Sequence, residues 1–182
     1  MIIGLIGPNA SGKGEIANYL ITKGFKYYSL SDEIREELRN KKKEINRENL
    51  INEGNYLRKT YGANILAKRV LDKIKKEKRN NFVVDSVRNP EEVQTLKEEK
   101  RFYYLGVDAP VKLRYERAMK RMREGEKYSL KKFIELENKE KGENKNAQQL
   151  DVCMRLTDFT IINDSTLDEL HNKVDEILKE IS

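Results

Sequence analysis

Residues 2–23 constrain this chain more than any other stretch. A β-branched run, Ile2 to Ile6, leads directly into Gly7-Pro8-Asn9-Ala10-Ser11-Gly12-Lys13-Gly14, and the segment from Glu15 to Lys23 has a helical pattern. Strand, GxxxxGK and helix in that order predict a phosphate-binding loop. Glycines let backbone N–H groups curl around phosphate oxygens, the helix N-terminus adds its dipole, and the lysine reaches the terminal phosphates. The bland alternative, a glycine-rich turn with an exposed lysine, needs three independent features to coincide. The Ser or Thr that usually follows this lysine and ligates Mg²⁺ is replaced by Gly14, followed by Glu15. Magnesium would then be held through water and through carboxylates elsewhere.

Four further blocks read as buried strands: residues 26–30, 82–84, 102–107 and 159–162, each rich in β-branched or aromatic residues and bounded by turn formers. Between them apolar residues recur at three or four, as in Ile34 with Leu38 and Leu66 with Val70 and Ile74. Asn89-Pro90 followed by Glu92 carries an N-cap, a first-turn proline and a capping-box partner, and Thr166 followed by Glu169 repeats the box. Alternating strand and helix predicts an α/β fold with a mainly parallel sheet, whose ligands sit beyond the carboxyl ends of the strands.

The length of 182 residues suits one domain with a substantial core. Charged residues reach 37% against a usual value of about 25%, so much of each helix has to be solvated. The net charge of +6 admits a nucleic-acid partner or a phosphate ligand, with basic residues crowded into 64–79 and 111–146. For 64–79 the lysines point around the helix without forming a stripe, which reads as solvation. Residues 138–147 read as a polar loop. A single cysteine, Cys153, and a single histidine, His171, exclude a disulfide framework, a multi-cysteine zinc site and a His-rich metal centre. No apolar run approaches a membrane span, and the reading is of a cytoplasmic protein with no membrane partner.

GKG in place of GKS or GKT resembles the adenylate-kinase-like branch of P-loop kinases. Four elements extend the resemblance: Ser31-Asp32-Glu33-Ile34-Arg35 after the second strand; Asp85-Ser86-Val87-Arg88 where such kinases carry an Asp-Gly-x-x-Arg-like turn; Arg117, Arg121 and Arg123 after the fourth strand; and Asn163-Asp164-Ser165-Thr166 after the last. The patterns LINEGNYLRKTYG, DSVRNPEEV and QQLD are similar to those of an archaeal GKGE-type family and of the kinase-like segment ahead of some deoxycytidylate deaminases. The resemblance implies a five-stranded sheet of order 2-3-1-4-5 in a single domain spanning 1–182, with an acceptor-binding insert at 31–80 and a lid at 114–146. It also implies ATP and Mg²⁺ as cofactors and a nucleotide acceptor.

On that resemblance, residues Gly7 to Glu15 cradle the donor, with Lys13 on its β- and γ-phosphates. Arg35 and Arg88 grip the acceptor phosphate, Arg121 and Arg123 descend with the lid, and Asn163 sits in the turn that touches adenine. Asp85 and Asp32 are candidates for water-mediated Mg²⁺ binding, and no residue is expected to ligate the metal directly. Arg117 either stacks on adenine or lies along its helix, and Asp32 with Arg35 either serves the acceptor or pairs on the surface. Substrate choice is expected in 31–64, with Asn55, Arg58, Tyr61 and nearby Tyr28 as polar or aromatic readers. Converging arginines suit phosphoryl transfer, which is mostly positioning and charge stabilisation. Three rivals stand beside this reading. Asn172-Lys173-Val174-Asp175 spells a guanine-reading tetrad but falls inside an amphipathic helix. A nucleic-acid-associated ATPase fits the charge but lacks any recognition motif. A dephospho-coenzyme-A kinase shares the scaffold and would use Asp32 or Asp85 as a base.

Overall fold

A computed structural model of the chain describes residues 1–121, 129–140 and 149–182. In chain order its elements are β1 (Ile2–Ile6), α1 (Lys13–Thr22), β2 (Lys26–Ser29), α2 (Leu30–Asn40), α3 (Arg47–Tyr61), α4 (Ile65–Ile74) and β3 (Phe82–Asp85). There follow α5 (Pro90–Lys97), β4 (Phe102–Asp108), α6 (Val111–Arg121), α7 (Leu130–Glu140), α8 (Leu150–Met154), β5 (Phe159–Ile162) and α9 (Leu167–Ile181). All strand pairings are parallel and the order is β2-β3-β1-β4-β5, as the resemblance implied.

The continuous apolar character of β1 follows from its central place, because helices cover both faces of a parallel sheet. Side chains alternate across it. Ile2 and Ile6 join Phe82, Val84, Phe102 and Tyr104 under α2, α3, α4, α5 and α8. Ile3 and Leu5 join Val83, Leu105 and Val107 under α1 and α9. Gly4 interrupts the run because a Cβ there would lie 2.8 Å from the ring of Phe102 and 3.0 Å from that of Tyr104. The neighbouring rings fill the volume its side chain would take.

Three strand boundaries shift, one of them at β4, which runs on by a residue to Asp108. Leu30 opens α2 instead of ending β2, and β3 continues to Asp85, which brings that carboxylate to the strand's carboxyl end. The α5 capping box forms as its sequence requires: the Asn89 side chain accepts from the Glu91 N–H and Glu92 returns to the Asn89 N–H. Thr166 caps α9 by accepting from the Glu169 N–H. The predicted loop at 138–147 begins inside α7, and its remainder lies outside the described residues. The basic helix α4 is tied to α2 by Arg69–Glu37 and by Lys73 with Glu33 and Glu36, so part of its charge is locally neutralised. Among the described residues no helix is long and apolar enough to cross a membrane.

Candidate nucleotide and acceptor sites

The turn after β1 is held tightly from below. A Cβ at Gly7 would lie 2.0 Å from the carbonyl oxygen of Val107 in β4, and one at Gly12 would lie 2.1 Å from Asn163 Nδ2. Gly12 also has φ of 108°, in the region that favours glycine, as it caps α1. Asn163, buried at the end of β5, donates from Nδ2 to the Ser11 carbonyl at 2.9 Å. The loop is therefore sewn to two neighbouring strands, and its shape precedes any ligand.

Lys13 Nζ donates to the carbonyls of Gly7 at 2.7 Å and Pro8 at 2.9 Å, so the ammonium spans the loop it belongs to. Burial pushes its pKa down to about 8; Arg88, Arg121 and Arg114 push the same way, against the opposing pull of Asp85. A cation held below its ordinary affinity for protons, amid other cations, is a site prepared for anionic charge. Ser11 is fully buried and its Oγ has no hydrogen-bond partner among the described residues.

A cavity of about 310 Å³ opens beside the loop. The loop contributes Pro8, Asn9 and Lys13, α2 contributes Ser31, Ile34 and Arg35, α3 contributes Leu50 and Ile51, and Arg88 and Leu150 complete the wall. Lys13, Arg35 and Arg88 thus face one space from three elements. Arg35 also donates to Asp32 Oδ1 at 2.8 Å, the surface pairing that the sequence allowed, and Asp32 itself stays mostly in solvent. Asp85 accepts from the Ser86 N–H at 2.6 Å and from the Tyr27 hydroxyl at 3.3 Å. Ser86 has φ of 65°, a left-handed conformation at the position where the resembled turn carries glycine.

Arg58 departs from expectation. It does not line the cavity: its side chain is 4% exposed and pairs with Glu92, which is 0% exposed, through Nε at 2.9 Å and Nη2 at 2.8 Å. Neither do Asn55, Tyr61 and Tyr28 line it; Tyr61 is exposed near the end of α3, and the Tyr28 hydroxyl turns away to Glu77. The apolar part of the lining is instead aliphatic, from Ile34, Leu50, Ile51 and Leu150. Its signal in the sequence was helical periodicity, which is indistinguishable from that of core residues.

A second cavity, of about 330 Å³, lies on the other side of the loop. Gly12, Glu15, Arg117, Arg121, Asn163 and Ser165 are among its lining. Arg117 donates to the Asn163 carbonyl at 3.1 Å and to its Oδ1 at 3.3 Å, which joins α6, β5 and the loop in one chain of contacts. Arg121 approaches Glu15 at 3.7 Å and is 55% exposed. Arg123 lies outside the described residues. Arg114, which sequence reasoning gave no specific role, is buried; it pairs with Glu137 of α7 and donates to the Ala109 carbonyl at 2.9 Å. Ala10 packs with Ala118 and Phe133, so α7 rests directly on the loop.

Gly14 has open space around it and offers no ligand for magnesium. Among the described residues no group of three or more His, Cys, Asp or Glu converges on one point. The described residues supply no all-protein cation cage. A hydrated ion carried by nucleotide phosphates fits, with Asp85 near Lys13 as the carboxylate that would take its waters. The tetrad 172–175 lies within α9, with Val174 buried and Asp175 engaged by Tyr19 and Lys23, so it reads no base.

Comparison with known proteins follows the same lines. Structures that superpose over nearly the whole chain include TT1252 from Thermus thermophilus, at TM-score 0.64 and 17% identity over 100% of this chain and 98% of that one. A shikimate kinase from Bacteroides thetaiotaomicron matches at TM-score 0.60 and 13% identity, with 98% of each chain covered. At such identities the likeness shows the fold, that of P-loop kinases. In sequence, a UPF0200 protein of Sulfurisphaera tokodaii is 36% identical over 99% of this chain and 97% of its own length. Another, from Thermococcus gammatolerans, is 30% identical over 100% and 95%. The AAA domain family matches residues 6–135. With a phosphate loop of this build and relatives that align along their full length, the chain belongs to the AAA domain family and is one of the UPF0200 proteins.

Proposed function

We propose that the protein is a phosphotransferase of the nucleoside monophosphate kinase kind, moving the γ-phosphoryl group of ATP onto the phosphate of a nucleotide. One observation carries the reading: Lys13, Arg35 and Arg88 face a single cavity beside the phosphate loop. Two phosphate groups can be brought together only where cations converge and water can be excluded. The donor's triphosphate lies in the loop with Lys13 on its outer phosphates, and its base lies toward Arg117, Asn163 and Ser165. Arg35 and Arg88 hold the acceptor phosphate by paired N–H contacts, which the planar guanidinium suits. The aliphatic wall of Ile34, Leu50, Ile51 and Leu150 accepts the flat face of the acceptor's base.

An acceptor phosphate oxygen attacks the γ-phosphorus in line, the bond from that phosphorus to the bridging oxygen breaks, and ADP leaves with the electron pair. The attacking oxygen is already ionised, so no general base takes part. When bound, Mg²⁺ supplies charge neutralisation on the β- and γ-phosphates. The chain's share is to hold the two anions in line. Asp85 orders water at the mouth of the site, and Arg121 adds charge from α6.

The deciding measurement is ADP release from ATP against a panel of ribo- and deoxyribonucleoside monophosphates, with dephospho-coenzyme A as a hydroxyl acceptor. Turnover that depends on a monophosphate is expected. Transfer only to dephospho-coenzyme A would replace the reading with one in which Asp32 or Asp85 acts as base. Hydrolysis independent of any acceptor would make the protein an ATPase, and tight, salt-sensitive oligonucleotide binding alongside it would identify a nucleic-acid-associated one.

A further inference from the structure

The turn carrying Arg88 is pinned from three directions by groups that never reach the cavity. Glu92 is the hub. Its Oε1 takes both contacts from Arg58, at 2.9 and 2.8 Å, and its Oε2 accepts the backbone N–H groups of Arg88 and Asn89, each at 3.0 Å. The buried Tyr104 hydroxyl donates to the Val87 carbonyl at 3.0 Å, and the Gln149 N–H donates to the Arg88 carbonyl at 2.8 Å. The N–H and C=O of Arg88 and the residues flanking it are thereby held from α3, from β4 and from the approach to α8.

We infer that Arg58 is a positioning residue: through Glu92 it fixes the backbone of Arg88 and so aims that guanidinium at the acceptor phosphate. This rests on the proposed role of Arg88. Two features separate the device from an ordinary buried ion pair. An α5 capping box needs only one carboxylate oxygen on the N-cap N–H, yet here the same oxygen also takes the N–H of the cavity residue, while the other is given wholly to Arg58. A helix cap alone would not call for a guanidinium brought from α3 with almost no exposure. Gly54, one helical turn before Arg58, leaves that group its room: a Cβ there would stand 3.3 Å from Arg58 Nη1. Without Arg58 the carboxylate would be buried with one oxygen unpaired, and it would turn toward water, taking the Arg88 N–H with it.

The experiment uses the full chain and the nucleoside monophosphate that turns over fastest in the panel above. Arg58→Lys keeps the charge and loses the fork. It should raise that acceptor's KM about tenfold and leave the KM for ATP unchanged. In the ligand-free protein it should also speed hydrogen exchange at the amides of Arg88 and Asn89. In an Arg88→Ala background the same change should add less than about twofold, since the two act through one contact. A lowered Tm with unchanged acceptor KM and protected amides would overturn the proposal, as would equal KM effects in both backgrounds. Tyr104→Phe keeps the buried ring and frees the Val87 carbonyl, together with the Cys153 thiol that also meets the hydroxyl. It gives the same readouts with about a threefold effect if Arg58→Lys fails to fold. Should Arg88→Ala alone leave acceptor KM unchanged, the assignment of Arg88 to the acceptor falls, while loosened amides in Arg58→Lys still uphold control of the turn by Arg58.

Discussion

The cations on the two sides of the phosphate loop are held in opposite ways. Arg88 stands on a turn whose carbonyls and amides are pinned by buried groups, and its neighbour Arg58 is 4% exposed against a wholly buried Glu92. Arg121 stands on the last residue of α6, 55% exposed, with Glu15 at 3.7 Å. Charge fixed in a desolvated frame costs no reorganisation when a ligand arrives, whereas charge in water is screened until water is removed. The turn that carries Arg88 is held in place before any ligand binds. On the proposed reading, Arg121 would act only once solvent is excluded around it.

The largest effect should come from the residue between the two regions. Lys13→Ala should lower turnover by about 10² to 10³-fold, by analogy with the loss of one preorganised charge contact, and steady-state kinetics near normal would break the assignment. Next comes the contrast in stability. Arg58→Met removes the cation paired with the buried Glu92 charge and should cost about 3–5 kcal/mol in denaturant unfolding. Arg121→Met removes only a long, solvated contact and should fall within about 0.5 kcal/mol of wild type. Similar values for the two would erase the comparison.

A smaller effect depends on pH. The folded-state pKa of Lys13 is lowered to about 8, so the penalty for its buried charge is fully present below that pH. Between about 8 and the ordinary lysine value near 10.4 the unfolded chain binds more protons than the folded one, and stability from this group rises with pH. Nucleotide binding has the opposite sign. Phosphate favours the protonated lysine, so ATP affinity should weaken as pH climbs through 8, with proton uptake on binding measurable by calorimetry in buffers of different ionisation enthalpy. Lys13→Met should lose that uptake. The smallest effect belongs to Ser86, whose φ of 65° is strained for any residue with a Cβ. Ser86→Gly should stabilise the fold by up to about 1 kcal/mol, the relief of left-handed strain less the entropy of glycine. A loss of stability would show that the Ser29 contact at 3.3 Å outweighs the strain.

The phosphate loop, the five strands and the α5 cap were legible because each is a local pattern in which spacing decides geometry. Arg58 was not. On α3 it sits in a polar, charged stretch, and nothing nearby announces that its partner lies 34 residues away at the start of α5. Gly54 before it and the Glu of the capping box were the two available signals, but each has a sufficient local explanation. The apolar lining of the cavity beside the loop was hidden for a related reason. Ile34 repeats with Leu38, and Leu50 with Leu57, at helical spacing like core residues, and only the packing of α2 against α3 decides which of them face a space and which face one another.

The sequence by itself determined that this chain builds a parallel α/β sheet with a phosphate loop after its first strand, since hydrophobic period, glycine placement and helix caps act over a few residues. The tertiary structure alone decided which cations meet. Side chains on α2, on the turn after β3 and in the loop are separated by tens of residues and converge only because β2, β3 and β1 lie side by side with their carboxyl ends together.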